Sequence, residues 1–220
     1  MLNCLETPKQ GPAKKLIVWM HGLGDSAQGF YPVAEALQLP KSLGAHFVFP
    51  NAPERPVTIN QGMIMQSWYD IPSFNADERA NISDVKDSCT KIHQLLDELL
   101  EREDLQSNDV ILAGFSQGAV MALYSGLRYP KPLGGILALS GYLADSASFV
   151  QEIHPANQKT SIQMMHGTQD PVVPYTLGQD AFQKLSALSP DILWKKYEMG
   201  HELCVNQIKD IALWLQSKLK

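Results

Sequence analysis

A serine placed between a buried strand and a helix is the clearest chemical feature of this sequence. Residues 109 to 118 read Asp-Val-Ile-Leu-Ala-Gly-Phe-Ser-Gln-Gly, an apolar run that leads directly into the pattern Gly114-x-Ser116-x-Gly118. Glycine two positions before and after the serine permits a turn so tight that the hydroxyl projects away from the backbone. Because the run 119 to 124 favours a helix, the sequence predicts a strand, a sharp turn and a helix, with Ser116 as a nucleophile.

A serine hydroxyl becomes an effective nucleophile only when a base accepts its proton and an acid orients that base. Of the six histidines, His201 follows the last predicted strand, in a loop that can reach over the edge of a sheet. His21 and His166 also follow strands, but each directly precedes a glycine, which favours a structural use in a tight turn. The sequence therefore predicts His201 as the base. The remaining histidines favour ordinary structural roles and are His46, His93 and His154.

The predicted acid is Asp170, which lies just past an apolar run and is followed by Pro171 and Pro174, which stiffen its loop. It also completes the chain order serine, aspartate, histidine that is expected when each residue follows a successive strand of a parallel sheet. Asp25 and Asp70 precede the serine and break that order. Asp145 keeps the order but lacks a stiffened turn, so it stays as the alternative acid.

Acyl transfer also needs hydrogen-bond donors for the oxyanion of the tetrahedral intermediate. We expect these to be the backbone N–H groups of Gln117, at the start of the helix, and of Leu23, in a glycine-containing loop after the first long strand. That loop also fits the dinucleotide pattern G-x-G-x-x-A, but Asp25 would face a pyrophosphate, and the next strand ends without the acid that binds ribose. With neither a phosphate-binding loop pattern nor a zinc-binding helix pattern in the sequence, we expect no cofactor and no metal.

The elements that must carry these residues alternate between strands and helices. Most of the strand runs are continuously apolar, as in strands covered on both faces. The predicted strands are 16–20, 46–49, 110–113, 136–139, 162–165 and 192–197. The predicted helices are 30–38, 82–100, 117–129, 175–187 and 203–219. This alternation predicts a single α/β domain over residues 1–220, with a mostly parallel central sheet and a site at the carboxyl ends of its strands.

One segment, residues 50–80, interrupts the alternation. It contains several prolines and no clear helical pattern, yet it is too apolar to be disordered. Long irregular segments of compact domains are commonly functional. We therefore expect residues 50–80 to pack over the sheet beside the site.

Composition narrows the class of protein. The net charge of −5 argues against a nucleic-acid partner. The three cysteines, Cys4, Cys89 and Cys204, lie far apart without metal-binding spacing, which favours a reduced, cytoplasmic protein. The first fifteen residues lack the apolar core of a secretory signal, and the early apolar run 16–20 is too short to span a bilayer.

Six blocks of the sequence carry a resemblance to a known family. The blocks are His21-Gly-Leu-Gly-Asp-Ser, Phe49-Pro-Asn-Ala-Pro, Ser67-Trp-Tyr-Asp-Ile, Gly114-Phe-Ser-Gln-Gly, His166-Gly-Thr-Gln-Asp-Pro-Val-Val-Pro and Met199-Gly-His. In type and order they resemble the motifs of the small carboxylesterase and acyl-protein thioesterase family, over nearly the whole chain. The resemblance implies an α/β-hydrolase fold without a large cap domain and hydrolysis of carboxylic esters or thioesters. It also implies Ser116, Asp170 and His201 as a catalytic triad, with Leu23 and Gln117 at the oxyanion positions.

The same resemblance implies an acyl channel, formed by the loop after the Trp-Tyr-Asp block and by residues near the triad aspartate. Its expected lining residues are Ile71, Phe74, Val172 and Leu177, with Tyr142 where the family often has tryptophan. The expected substrates carry medium-to-long acyl chains on a small molecule, a protein or a lipid. Alternatives are a lysophospholipase or other lipid esterase and, from another class, a non-catalytic binding protein with the hydrolase fold. An apolar rim around the channel would serve either a homodimer or a transient contact with a membrane surface.

Overall fold

The computed structural model describes residues 2–9, 11–75, 78–188 and 191–219 and is built around one large sheet. Its strands are β1 (Cys4–Glu6), β2 (Lys15–Met20), β3 (Ala45–Pro50), β6 (Val110–Phe115), β7 (Gly135–Leu139), β8 (Ile162–Gly167) and β9 (Ile192–Tyr197), and a separate hairpin consists of β4 (Glu54–Val57) and β5 (Met63–Gln66). The seven strands of the large sheet follow the order β1-β3-β2-β6-β7-β8-β9. Within the sheet, β1 runs antiparallel to β3, and the other neighbouring strands are parallel.

Helices cover both faces of this sheet. They are α1 (Ala27–Phe30), α2 (Pro32–Ala36), α3 (Ile82–Glu103), α4 (Gln117–Arg128), α5 (Tyr175–Ser186) and α6 (Val205–Lys218). Because successive side chains of a strand point to opposite faces, the residues of β2 divide between two apolar layers. Leu16, Val18 and Met20 join the layer that contains α3, α4 and α5, whereas Ile17 and Trp19 join the layer that contains α1 and α6.

The architecture confirms the predicted mostly parallel sheet flanked by helices. All six predicted strands are present, most of them longer by one or two residues, and so are four of the five predicted helices. The stretch 30–38 differs, because the chain forms the two short helices α1 and α2 there. The three-residue edge strand β1 was not predicted, since so short a run carries no readable periodicity. In the part of the chain that the structure describes, no large cap domain covers the sheet.

The 50–80 segment packs over the sheet, as predicted, but it is not wholly irregular. Strands β4 and β5 pair antiparallel within it, from Glu54 opposite Gln66 to Val57 opposite Met63. Farther along, Trp68 and Tyr69 are completely buried in the apolar layer of α3 and α4. The segment therefore combines a protruding hairpin with an anchored aromatic pair.

No helix in the described part of the chain has both the length and the apolar character that a membrane crossing requires.

Candidate active site

Ser116 occupies a strained turn between β6 and α4. Its backbone has φ +55° and ψ −120°, in the left-handed half of conformational space that side chains rarely adopt. The flanking glycines make the turn sterically feasible. A Cβ added to Gly114 would lie 2.1 Å from the carbonyl oxygen of Gly118, and one added to Gly118 would lie 2.2 Å from that of Met20. The Ser116 N–H is held by the carbonyl of Leu139 at 2.8 Å.

His201 links the serine to an aspartate. Its Nε2 lies 2.8 Å from Ser116 Oγ, and its Nδ1 lies 2.7 Å from Asp170 Oδ2. Since a carboxylate only accepts hydrogen bonds, Nδ1 is the protonated nitrogen, and Nε2 of the neutral ring accepts the serine proton. Ser116 itself is 9% exposed, so the hydroxyl is sheltered but accessible. The structure thus brings together Ser116, His201 and Asp170 in the geometry that activates a serine.

Asp170 is held as an ionised group. Its side chain is completely buried, and Oδ1 accepts hydrogen bonds from the N–H groups of Val172 and Val173, each at 2.8 Å. Burial alone would raise the pKa of this carboxyl group. The hydrogen bonds from His166, His201 and Val173 outweigh burial and lower the pKa of Asp170 well below its ordinary value. The carboxylate is therefore charged at neutral pH and can stabilise an imidazolium.

His166 contacts this carboxylate, a role that the sequence did not reveal. It lies in β8, completely buried, with Nε2 3.0 Å from the carbonyl oxygen of Val173 and 3.5 Å from Asp170 Oδ2. Gly178 makes room for the ring, because a Cβ there would lie 2.3 Å from Nδ1. The four-residue spacing between His166 and Asp170 was the available signal, but the glycine after His166 favoured a turn instead.

The N–H of Gln117 lies at the first residue of α4, where helical N–H groups have no partner within the helix and the helix dipole favours negative charge. The Gln117 side chain turns away into the protein. Its Oε1 accepts the N–H of Trp68 at 2.8 Å, and its Nε2 donates to the carbonyl of Tyr69 at 2.6 Å. These bonds fasten the start of α4 to the 50–80 segment.

Leu23 belongs to a loop that lies directly against the serine. A Cβ on the neighbouring Gly22 would be 3.4 Å from Ser116 Cβ, and the N–H of Gly24 donates to the carbonyl of Gln66 at 2.9 Å. His21 has the structural role that was predicted for it. Its Nδ1 donates to the Gly22 carbonyl at 2.7 Å, its Nε2 accepts the N–H of Ala52 at 3.0 Å, and burial lowers its pKa.

All of these groups converge on one edge of the sheet. Leu23, Ser116, Asp170 and His201 follow β2, β6, β8 and β9, and the carboxyl ends of parallel strands meet at the same edge.

The alternative aspartates and the other histidines are engaged elsewhere. Asp25 caps its own loop at the N–H of Ser26, Asp70 binds the N–H of Thr58, and Asp145 accepts a hydrogen bond from Ser148. The remaining histidines contact Glu6 (His46), the Ser125 carbonyl (His93) and the Ala156 N–H (His154).

The expected channel residues fall into two groups, one packed in the core and one exposed. Ile71 and Tyr142 are buried in the apolar layer of α3, and Leu177 packs against it. Phe74 and Val172 are exposed, by 66% and 47%. Phe74, Tyr142 and Val172 also share a neighbour that the sequence did not single out, the buried Arg79.

Comparison with known proteins gives consistent matches. A family model described as phospholipase/carboxylesterase matches residues 5–219. The chain is 33% identical to carboxylesterase SOBER1 of Arabidopsis thaliana, over 94% of this chain and 92% of that protein. It is 36% identical to acyl-protein thioesterase 1 of Kluyveromyces lactis, over 96% of this chain and 95% of the relative.

Solved structures agree with these matches. The crystal structure of Arabidopsis thaliana SOBER1 superposes with a TM-score of 0.88 at 33% identity, covering 94% of this chain and 100% of that one. The crystal structure of Zea mays acyl-protein thioesterase 2 superposes with a TM-score of 0.88 at 27% identity, covering 100% of both chains.

Proposed function

This chain belongs to the phospholipase/carboxylesterase family, has the α/β-hydrolase fold and is a serine hydrolase of carboxylic esters and thioesters, and we propose that it acts through an acyl-enzyme on Ser116. In this proposal His201 is the general base and Asp170 is the acid that orients it. The observation that carries the proposal is the unbroken chain from Ser116 Oγ through His201 to Asp170, with links of 2.8 Å and 2.7 Å.

Acylation begins when His201 Nε2 accepts the hydroxyl proton as Ser116 Oγ attacks the carbonyl carbon of the substrate. The carbonyl oxygen becomes an oxyanion, which the N–H groups of Gln117 and Leu23 stabilise. The ionised Asp170 stabilises the imidazolium. When the tetrahedral intermediate collapses, the bond to the alcohol or thiol breaks, and His201 returns the proton to that leaving group.

Deacylation repeats the sequence with water as the nucleophile. His201 accepts a proton from the water that attacks the acyl carbon, and a second tetrahedral intermediate forms against the same N–H groups. Its collapse breaks the bond to Ser116 Oγ, which regains a proton from His201. The product is a free carboxylic acid.

We assign medium-to-long acyl chains to the substrate, because the residues expected around the channel are apolar and lie beside the triad loop. In this proposal the buried residues Ile71 and Tyr142 line its wall together with the partly buried Leu177, and the exposed residues Phe74 and Val172 line its mouth. The relatives named acyl-protein thioesterase favour acylated proteins over free lipids. A cytoplasmic location fits the three free cysteines.

Two measurements test this function. Ser116→Ala should abolish labelling by a fluorophosphonate and remove ester turnover, whereas Ser186→Ala, at the end of α5, should change neither. Retained turnover in Ser116→Ala would overturn the acyl-enzyme. A panel of esters and thioesters of increasing acyl length then tests the substrate, and higher kcat/KM on lysophospholipids than on acyl thioesters would favour the lipid esterase.

A transient membrane contact would bring lipid-anchored acyl groups to the site. Met63, Ile64 and Phe74 support it, since they are exposed by 64%, 69% and 66%. Met63→Ser with Ile64→Ser should lower the fraction that sediments with phosphatidylcholine vesicles, whereas Leu213→Ser on α6, at a site of 65% exposure, should not. Equal sedimentation of both variants would overturn the contact. A dimer in gel filtration that the hairpin substitutions abolish would favour a homodimer instead.

A further inference from the structure

Arg79 is a buried cation outside the residues that the mechanism uses. It lies just before α3 and is only 3% exposed. Within residues 2–9, 11–75, 78–188 and 191–219, the arginines that form ion pairs are Arg55, Arg102 and Arg128, and Arg79 is not among them. Burying a charge is costly unless other charges or dipoles replace the lost water. Its contacts should therefore reveal why it is retained.

One of these contacts is to the triad loop, the loop after β8 that holds Asp170. Arg79 Nη2 donates to the carbonyl oxygen of Val172 at 2.5 Å, a short, charge-assisted hydrogen bond. Nη1 lies 3.5 Å from the carbonyl oxygen of Phe74. The guanidinium carbon lies 5.6 Å from the centres of the Phe74 and Tyr142 rings, within the range of cation–π attraction. The strongest contact is thus the one to Val172, two residues beyond Asp170.

The Val172 carbonyl and the Val173 N–H belong to the same peptide group. That N–H donates to Asp170 Oδ1 at 2.8 Å, so the guanidinium and the carboxylate lie at opposite ends of one peptide dipole. A cation on the carbonyl end polarises the peptide and strengthens the N–H as a donor. The same contact fixes the turn that also presents the Val172 N–H to Asp170.

We propose that Arg79 is a positioning residue for the catalytic aspartate, acting through the Val172–Val173 peptide. The proposal rests on the function proposed above for Ser116, His201 and Asp170. A hydrogen-bond chain runs from Arg79 through the peptide to Asp170 and on through His201 to the serine, with links of 2.5, 2.8, 2.7 and 2.8 Å. Arg79 keeps the carboxylate oriented, and Asp170 passes that orientation to His201.

The first test is Arg79→Met, which keeps the aliphatic length and removes the charge and the donors. On an acetyl ester, which does not need the acyl channel, kcat should fall about 10- to 100-fold, the range that corresponds to one hydrogen bond to a charged group. KM should change little. Arg79→Lys retains the charge and N–H donors but lacks the planar guanidinium, so it should recover part of the lost kcat.

The second test asks whether the effect passes through Asp170. The rate of fluorophosphonate labelling is compared for wild type, Arg79→Met, Asp170→Asn and the double variant. If Arg79 acts through the carboxylate, Arg79→Met should slow labelling at least about 10-fold in the wild type but less than about 2-fold in Asp170→Asn. The same factor in both backgrounds would mean a merely structural role and would overturn the proposal.

The cycle also separates this proposal from the proposed function. A mild effect of Asp170→Asn alone would refute the triad assignment, whereas a severe effect of Asp170→Asn with an additive Arg79→Met would refute only the role of Arg79. Circular dichroism and thermal unfolding check each variant. If Arg79→Met does not fold, the same cycle is run with Arg79→Lys. Slowing of labelling by the same factor with and without Asp170→Asn would again overturn the proposal.

Discussion

Two neighbouring regions of this molecule are built by different means. The first, which we call the elbow edge, consists of the loops after β2, β6, β8 and β9 that hold the groups proposed to react. Its geometry is set by the backbone: a positive φ at Ser116, and glycines at 114 and 118 that leave no space for a side chain. Every functional group there is tied to the end of a strand.

The second region, the 50–80 segment, is set mainly by side chains. Its buried part is anchored by Trp68 and Tyr69, and its exposed part presents Met63, Ile64 and Phe74 to solvent. The comparison teaches that the proposed acyl-transfer groups depend on backbone constraints that accept few substitutions. The surface expected to select the acyl chain is held by packing that can change residue by residue.

The largest expected difference between the two regions comes from adding one methyl group to a glycine in each of them. Gly118→Ala should abolish activity and strongly destabilise the fold, because its Cβ would lie 2.2 Å from the backbone oxygen of Met20. Gly62→Ala, in the turn of the hairpin, meets no atom within 4 Å and is strained only by its φ of +76°. It should cost about 1–2 kcal/mol and keep activity. Urea unfolding and ester turnover measure both; a fully active Gly118→Ala would refute the backbone constraint.

A smaller effect is expected where the two regions are joined. Gln117→Leu keeps the backbone N–H of residue 117 but leaves the Trp68 N–H without its partner, and it removes one of the two hydrogen bonds to the Tyr69 carbonyl, which also accepts from Ser67 Oγ. One buried donor left without a partner should lower the free energy of unfolding by about 1–3 kcal/mol. Gln163→Leu is the matched control, because that buried glutamine makes longer side-chain hydrogen bonds of 3.2 and 3.4 Å within the described part of the chain. Equal losses of unfolding free energy in the two variants would show that the hydrogen bonds of Gln117 to the 50–80 segment add no particular stability.

The sequence predicted the elbow edge better than the segment, for physical reasons. Ser116, Asp170 and His201 each lie within four residues of the end of a strand, and a strand followed by a loop is a local signal. The hairpin was missed because Glu54–Val57 contains charge and proline and its partner strand is largely exposed, so neither run alternates. The bond from Arg79 to Val172 joins residues 93 positions apart, and such a contact exists only once the sheet has assembled.

An effect of about 1 kcal/mol is expected from the charge of Asp170. Because its folded pKa is depressed, ionisation stabilises the fold above the unfolded pKa of about 3.9, and this stability is lost as the pH falls through that value and below. Asp170→Asn removes the titration. The fall in the free energy of unfolding between pH 6 and pH 3 should be smaller in the variant by about 1 kcal/mol, the equivalent of one pKa unit. The free energy of unfolding is measured by urea unfolding at each pH. An equal fall between pH 6 and pH 3 in wild type and variant would contradict an ionised, stabilised carboxylate.

The smallest effect should appear at the mouth of the expected channel. Phe74→Ala removes an exposed ring that lies over Arg79, so apolar contact with a long acyl chain is reduced while the triad is unchanged. A loss of about 1 kcal/mol of contact corresponds to a KM several-fold higher for long-chain esters, with acetyl esters unaffected. Leu213→Ala, at a site of 65% exposure on α6, is the control and should alter neither. An equal change in KM for acetyl and long-chain esters would instead mean that Phe74 acts on the triad loop, and the two regions would not be separable.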